Sequence, residues 1–271
     1  MKKLILLIFC GCSLLWAEPK VVAVFGGENC PWSEQLRHDV WDTPAFQALL
    51  STSGIQKDER PATSADQETP VLVLISSKGE EIGRLGFLII PPEKYADLFK
   101  EMLAIHDLSQ NLDKLSTSHL LHFYRKCQVL NMKTAEEKIL TAGLAKDTGV
   151  DFLLEHYAKL RKDHPHKAHK VKEEIRSRSP SSPATEWQLA LLSFQARNET
   201  LKDPLEVVKP LHKYLKIYGE QDRDTRWRCH LILAEFYKEK GMMDKARLHA
   251  EQSALEAPDD LKQMILPLGN L

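Results

Sequence analysis

Apolar residues along the chain fall into two regimes. Up to about residue 105, short apolar runs alternate with amphipathic stretches. Val21 to Phe25 is a continuous β-branched and aromatic run, the pattern of a strand buried on both faces. Leu36, Val40, Phe46, Leu49 and Leu50 follow at helical spacing, with a bend predicted at Thr43-Pro44. Val71 to Ile75 reads as a second strand, Ser76 to Gly79 as a turn and Ile82 to Leu88 as a third strand paired with the second. Pro91-Pro92-Glu93 opens a helix whose inner face carries Tyr95, Leu98, Phe99 and Met102. Residues 51–69 are polar and breaker-rich and yield no firm strand. The weak Gly54–Asp58 stretch is what remains to supply a middle strand.

From about Asp107 the strand pattern stops and long helical periodicities take over. Arg161 to Pro183 is polar, basic and broken by proline, which predicts a short helix and an exposed loop. Trp227 to Pro258 places Leu233, Ala234, Tyr237, Gly241, Ala246, Ala250 and Ala254 at the small and aromatic positions of a tetratricopeptide-like unit. Alanines let two antiparallel helices approach closely, and Gly241 supplies the turn. Trp187 to Tyr218 has a similar but less regular helix–loop–helix pattern. The expected organisation is therefore a signal peptide at 1–17, a mixed α/β domain at 18–106 and an all-α domain of helical hairpins at 107–271.

The signal-peptide expectation rests on Lys2 and Lys3, the short apolar run Leu4 to Trp16 and a small residue at Ala17. It predicts an exported, periplasmic protein. Lipid attachment at Cys10 or Cys12 is the weaker alternative, because neither is preceded by a good lipobox. Lys and Arg number 37 against 38 Asp and Glu, so no net field favours nucleic acid or a membrane surface. Removal of residues 1–17 would leave Cys30, Cys127 and Cys229, too few for a disulfide-stapled scaffold and odd in number.

Cys30 stands apart. It follows the strand run through Gly26-Gly27 and precedes Pro31, which suits a first helical position. A thiol at a helix start faces free N–H groups and the positive end of the helix dipole, and both favour the thiolate. Cys127 and Cys229 sit on helical patterns and read as small buried hydrophobes, although Arg125 and Lys126 could activate Cys127. The run from His164 to His169 invites a metal reading, but its lysine neighbours oppose a cation and it reads better as a solvated loop. No metal site and no cofactor is expected.

Cys30-Pro31-Trp32-Ser33, then Leu36, Val40-Trp41 and Phe46, resembles the CPWC-x-x-L stretch of thioredoxin-like thiol:disulfide interchange proteins, with Ser33 at the second cysteine. Thr69-Pro70 looks like that family's cis-proline site, and Gly79 to Gly86 like its hairpin. The resemblance covers roughly residues 20–105. With its helical part, the whole chain is similar to predicted envelope disulfide bond isomerases of obligate intracellular Gram-negative bacteria. It implies a minimal thioredoxin-like fold, with Cys30 as nucleophile, Ser33 as its hydrogen-bonding neighbour, and Pro31, Trp32, Thr69 and Pro70 around a bound peptide. Without a second cysteine in the motif, disulfide shuffling and exchange with a small thiol are the reactions that survive. The partners implied are cysteine-containing envelope proteins or peptides, a small thiol or a redox partner protein, and no nucleic acid. The alternative is a non-catalytic peptide-binding or chaperone-like module on the same scaffold.

Overall fold

The structure is a computed structural model that describes residues 18–27, 30–63, 66, 70–262 and 265. The expected signal peptide and Thr69 lie outside the described residues. The chain divides into two compact units, residues 1–143 and 144–271.

The first unit is built on a four-stranded mixed sheet: β1 (Lys20–Phe25), β2 (Gln56–Pro61), β3 (Val71–Ile75) and β4 (Glu81–Gly86), in spatial order β2-β1-β3-β4. β1 pairs parallel with β2 and antiparallel with β3, and β3 pairs antiparallel with β4. The connection from β1 to β2 carries α1 (Pro31–Leu36), a π-helical turn (Arg37–Trp41) and α2 (Pro44–Thr52). Thr43 separates the two helices because its hydroxyl accepts from the Phe46 N–H, capping α2 where Pro44 can start it. Helix α3 (Pro92–Leu108) follows β4. Trp41, Phe46 and Phe99 are fully buried in a chain of ring contacts at 5.9 and 6.4 Å, joining the β1–β2 crossover to α3. This is a thioredoxin-like α/β fold of minimal size.

Two expectations are corrected here. Residues 56–61 form a strand, at the sheet edge, in the stretch 51–69 that yields no firm strand from its sequence. All six of its residues are exposed, so hydrophobic periodicity could not reveal it. Backbone pairing to β1 and charged contacts hold it instead: Lys20 to Asp58 at 3.0 Å, Arg37 to Glu59 at 3.1 Å, and the Trp41 indole N–H donating to Glu59 at 2.9 Å. The third predicted strand begins at Glu81 and ends at Gly86, so Phe87 and Leu88 fall in the following turn. There the Tyr95 hydroxyl accepts from the Leu88 N–H and donates to the Leu88 carbonyl, pinning the turn to α3.

Secondary structure becomes all-helical after α3, yet the compact unit continues to Gly143. Helices α4 (Thr117–Val129) and α5 (Lys133–Lys146) meet at a turn where Asn131 adopts a left-handed backbone, φ 51°. That turn backs the sheet. A β-carbon placed on Gly83 of β4 would lie 2.7 Å from Met102 of α3, 2.8 Å from Met132 and 3.0 Å from the Leu130 carbonyl. Lys126 of α4 also pairs with Glu101 of α3.

The second unit comprises three helical hairpins: α6 (Asp151–Leu160) with α7 (Pro165–Arg178), α8 (Pro183–Thr200) with α9 (Pro204–Tyr218), and α10 (Arg223–Glu239) with α11 (Met243–Glu256). Residues 165–178 form one helix of fourteen residues, where a short helix and a loop were expected. His164 is its N-cap, and His166 and His169 project into solvent from its first turns. Trp187 of α8 meets Tyr214 of α9 at 5.2 Å between ring centres. Gly241 turns α10 into α11 at φ 72°, and Ala246 and Ala250 are buried along that hairpin. His249 of α11 is buried, stacked on Tyr237 and within 2.9 Å of His230 between Nδ1 atoms. Among the described residues, no helix is long and apolar enough to cross a membrane.

Candidate functional site

The sheet register brings three loops to one end. β1 and β2 both finish there, Val71 at the start of β3 pairs with Val24 near the end of β1, and Gly86 at the end of β4 pairs with Val71. The Gly26–Cys30 loop, Pro70 and the Phe87–Ile89 turn therefore emerge from the same edge. Pro70 is buried at the entrance to β3. The Thr69–Pro70 peptide involves a residue outside the described ones.

Cys30 is the N-cap of α1 with extended backbone, φ −80° and ψ 106°, and Pro31 occupies the first helical position. The Cys30 carbonyl accepts from the Ser33 and Glu34 N–H groups at 3.0 and 3.2 Å, and the Cys30 N–H donates to the Gly27 carbonyl at 3.2 Å. The Ser33 side chain is buried, and its oxygen accepts from the Gly26 N–H at 2.8 Å. With its acceptor role fixed by Gly26, the hydroxyl proton is free to donate to the Cys30 sulfur. That hydrogen bond is the largest cause holding the Cys30 pKa below its ordinary value. The backbone N–H groups of Ser33 and Trp32 act in the same direction, while slight burial and the Glu34 carboxylate oppose them.

Two further features escape sequence reasoning. A β-carbon on Gly26 would sit 3.1 Å from the Cys30 sulfur and 3.2 Å from the Ser33 oxygen, so a bare backbone is needed beside the thiol. The Gly26-Gly27 pair signals a turn in sequence but not this contact. The second feature is an apolar patch: Trp32 is 56% exposed and packs on Phe87 at 5.8 Å, and Leu88 and Ile89 are also exposed. The apolar run continuing past Gly86 was its signal in the sequence, masked by being read as strand.

The other two thiols among the described residues differ in kind. Cys127 and Cys229 are free, fully buried, and pushed up to about 12 by burial. The cations beside Cys127 in sequence do not offset this, and the nearby Glu136 carboxylate raises it further.

Fold and site together define a thioredoxin-like α/β domain with, among the described residues, one accessible thiol at a helix start, followed by a helical unit. The chain is 26% identical, over 212 residues, to the thioredoxin-related protein DsbJ of Chlamydia pneumoniae; the alignment takes in 73% of this chain. The chain spans 61% of that relative's length. No family model and no solved structure matches it.

Proposed function

We propose that the protein exchanges disulfides through Cys30, shuffling bonds in cysteine-containing envelope proteins or peptides. The observation that carries this reading is the hydrogen-bonded, partly exposed Cys30 sulfur, in contrast to Cys127 and Cys229, which burial silences. The Cys30 thiolate attacks a client disulfide, forming a mixed disulfide and releasing one client thiolate. That thiolate, another client thiol or a small thiol then attacks the mixed disulfide and restores Cys30. Bonds broken and formed balance, and no net oxidant is consumed. Ser33 holds the thiolate but cannot resolve the adduct, which favours isomerase-type exchange over dithiol oxidation. Trp32, Phe87, Leu88 and Ile89 offer an apolar seat for an unfolded client beside the sulfur.

That same patch also favours a second reading, a peptide-binding or chaperone-like module in which Cys30 is incidental. Trapping separates the two. Exchange predicts disulfide-linked client adducts that vanish in Cys30→Ala, and scrambled-ribonuclease refolding that depends on Cys30. Client capture that is unchanged in Cys30→Ala supports the module. Ser33→Cys should add dithiol redox activity if the surrounding site is competent. Export to the periplasm rests on the pattern of residues 2–17 and is tested by fractionation. The hairpin α10–α11, with its alanine seam, supports reading residues 227–258 as a tetratricopeptide-like unit.

A further inference from the structure

A groove of about 1030 Å³ opens within the helical unit, walled by α7, α8 and α9 with the end of α6. Seven lysine and arginine side chains line it against a single carboxylate, Glu186. That carboxylate is already taken by Arg176, which donates to its two oxygens at 2.7 and 3.0 Å. Most of the remaining cations are also engaged inside the protein. Lys162 pairs with Glu199 at 3.3 Å, Arg197 and Lys209 share Glu206, and Arg161 donates to the Leu192 carbonyl and to Gln195.

Lys172 of α7, whose ammonium lies 6.0 Å from the centre of the Tyr157 ring, and Lys213 of α9 are the exceptions in lacking an acidic partner. Neither has a carboxylate within ion-pair distance among the described residues, yet they face the same groove from two different helices. Lys172 is half-buried, and its ammonium is held below the usual lysine range by burial first and by Arg176 next, with Lys213 adding to the effect and the Glu186 and Glu173 carboxylates opposing it. Glu186 offsets only part of the mutual repulsion of these cations, because it is already bound by Arg176, and an anion placed between Lys172 and Lys213 would relieve the rest.

We propose that this groove binds an extended acidic peptide segment, its carboxylates between Lys172 and Lys213 and its apolar side chains against Ile217 and Tyr218. The volume stands at the top of the range of about 300–1,000 Å³ for small-molecule pockets, which suits a segment of several residues better than one small anion. Apolar lining calls for a ligand with side chains to bury. The formal net charge of −1 gives the chain no long-range field of the kind polyanion binders use. This site is independent of the Cys30 reading.

The test is fluorescence anisotropy on the full chain, with a labelled peptide alternating Glu and Leu and a counterpart carrying Gln for Glu. The Glu peptide binds and is released by salt, and the Gln peptide binds about tenfold more weakly, the worth of a charge-assisted hydrogen bond. The Lys172→Gln/Lys213→Gln double variant loses affinity to the same degree, while Lys213→Arg keeps it. Should the double variant melt at a lower temperature, Lys213→Gln alone carries the test, because Lys213 is exposed. Equal affinity for the two peptides, wild-type binding by the lysine variants, or displacement by inorganic phosphate or a single-stranded oligonucleotide more readily than by unlabelled Glu peptide would overturn the proposal.

Discussion

Replacing Ser33 with alanine removes two interactions at once. The Gly26 N–H loses its acceptor, and the Cys30 sulfur loses the donor that lowers its pKa most. A hydrogen bond to a charged group contributes about 1.5–3 kcal/mol when well buried. This sulfur is partly exposed, so solvent screening argues for roughly 1 kcal/mol, or about a fivefold fall in thiolate population below the titration midpoint. The exchange rate falls by less. A thiolate of higher pKa is intrinsically more nucleophilic, and a Brønsted slope of about 0.4–0.5 returns roughly a factor of two. Alkylation of Ser33→Ala by iodoacetamide should therefore slow about two- to threefold near neutral pH, while its plateau at high pH rises about twofold. Its midpoint moves up. The full pH profile is the assay, since a rate at one pH mixes the opposing effects. A profile that overlays the unsubstituted protein would refute Ser33 as the group that holds the thiolate.

Native Cys127 and Cys229 should resist an aromatic disulfide reagent at pH 8 that modifies Cys30, and should react once denaturant exposes them; prompt native labelling of Cys127 or Cys229, located by peptide mapping, would contradict their burial. Gly83→Ala should destabilise the first unit by about 1–3 kcal/mol through overpacking against Met102, Met132 and the Leu130 carbonyl, read as a lower denaturant midpoint at unchanged slope. The buried His249 is depressed to about 4 by burial and by His230, His212 and Lys245. Between about pH 6.5 and 4 the unfolded chain binds the proton that the folded one excludes, so stability falls as pH falls through that window, by up to roughly 3 kcal/mol. Thermal melts should show this loss, and His249→Gln should reduce it, leaving the smaller part that the depressed His156, His212 and His230 contribute.

Where burial follows a simple period, the fold was legible from sequence. Val21–Phe25 and Val71–Ile75 are apolar throughout, and the α3 face and the Gly241 turn follow ordinary helix chemistry. β2 was not legible, because its stability comes from pairing to β1 and from ion pairs reaching across 38 and 22 residues of chain. The hairpin α4–α5 looked like the start of a helical domain, and only the close approach at Gly83 shows that it backs the sheet. At the site, Cys30, Pro31 and Ser33 announce themselves as a motif. The contributions of Gly26 and Phe87 depend on loops meeting across the sheet register, which no local pattern encodes.

The rim formed by β2 carries a last implication. Unpaired strand edges invite other chains to add on, and natural sheets discourage this with charge and proline. Here the rim presents Lys57, Asp58, Glu59 and Arg60 in succession and finishes at Pro61. A second copy docking in either direction would have to strip these groups of water and of their present counter-ions. Edge-to-edge pairing of two copies through β2 is thereby disfavoured.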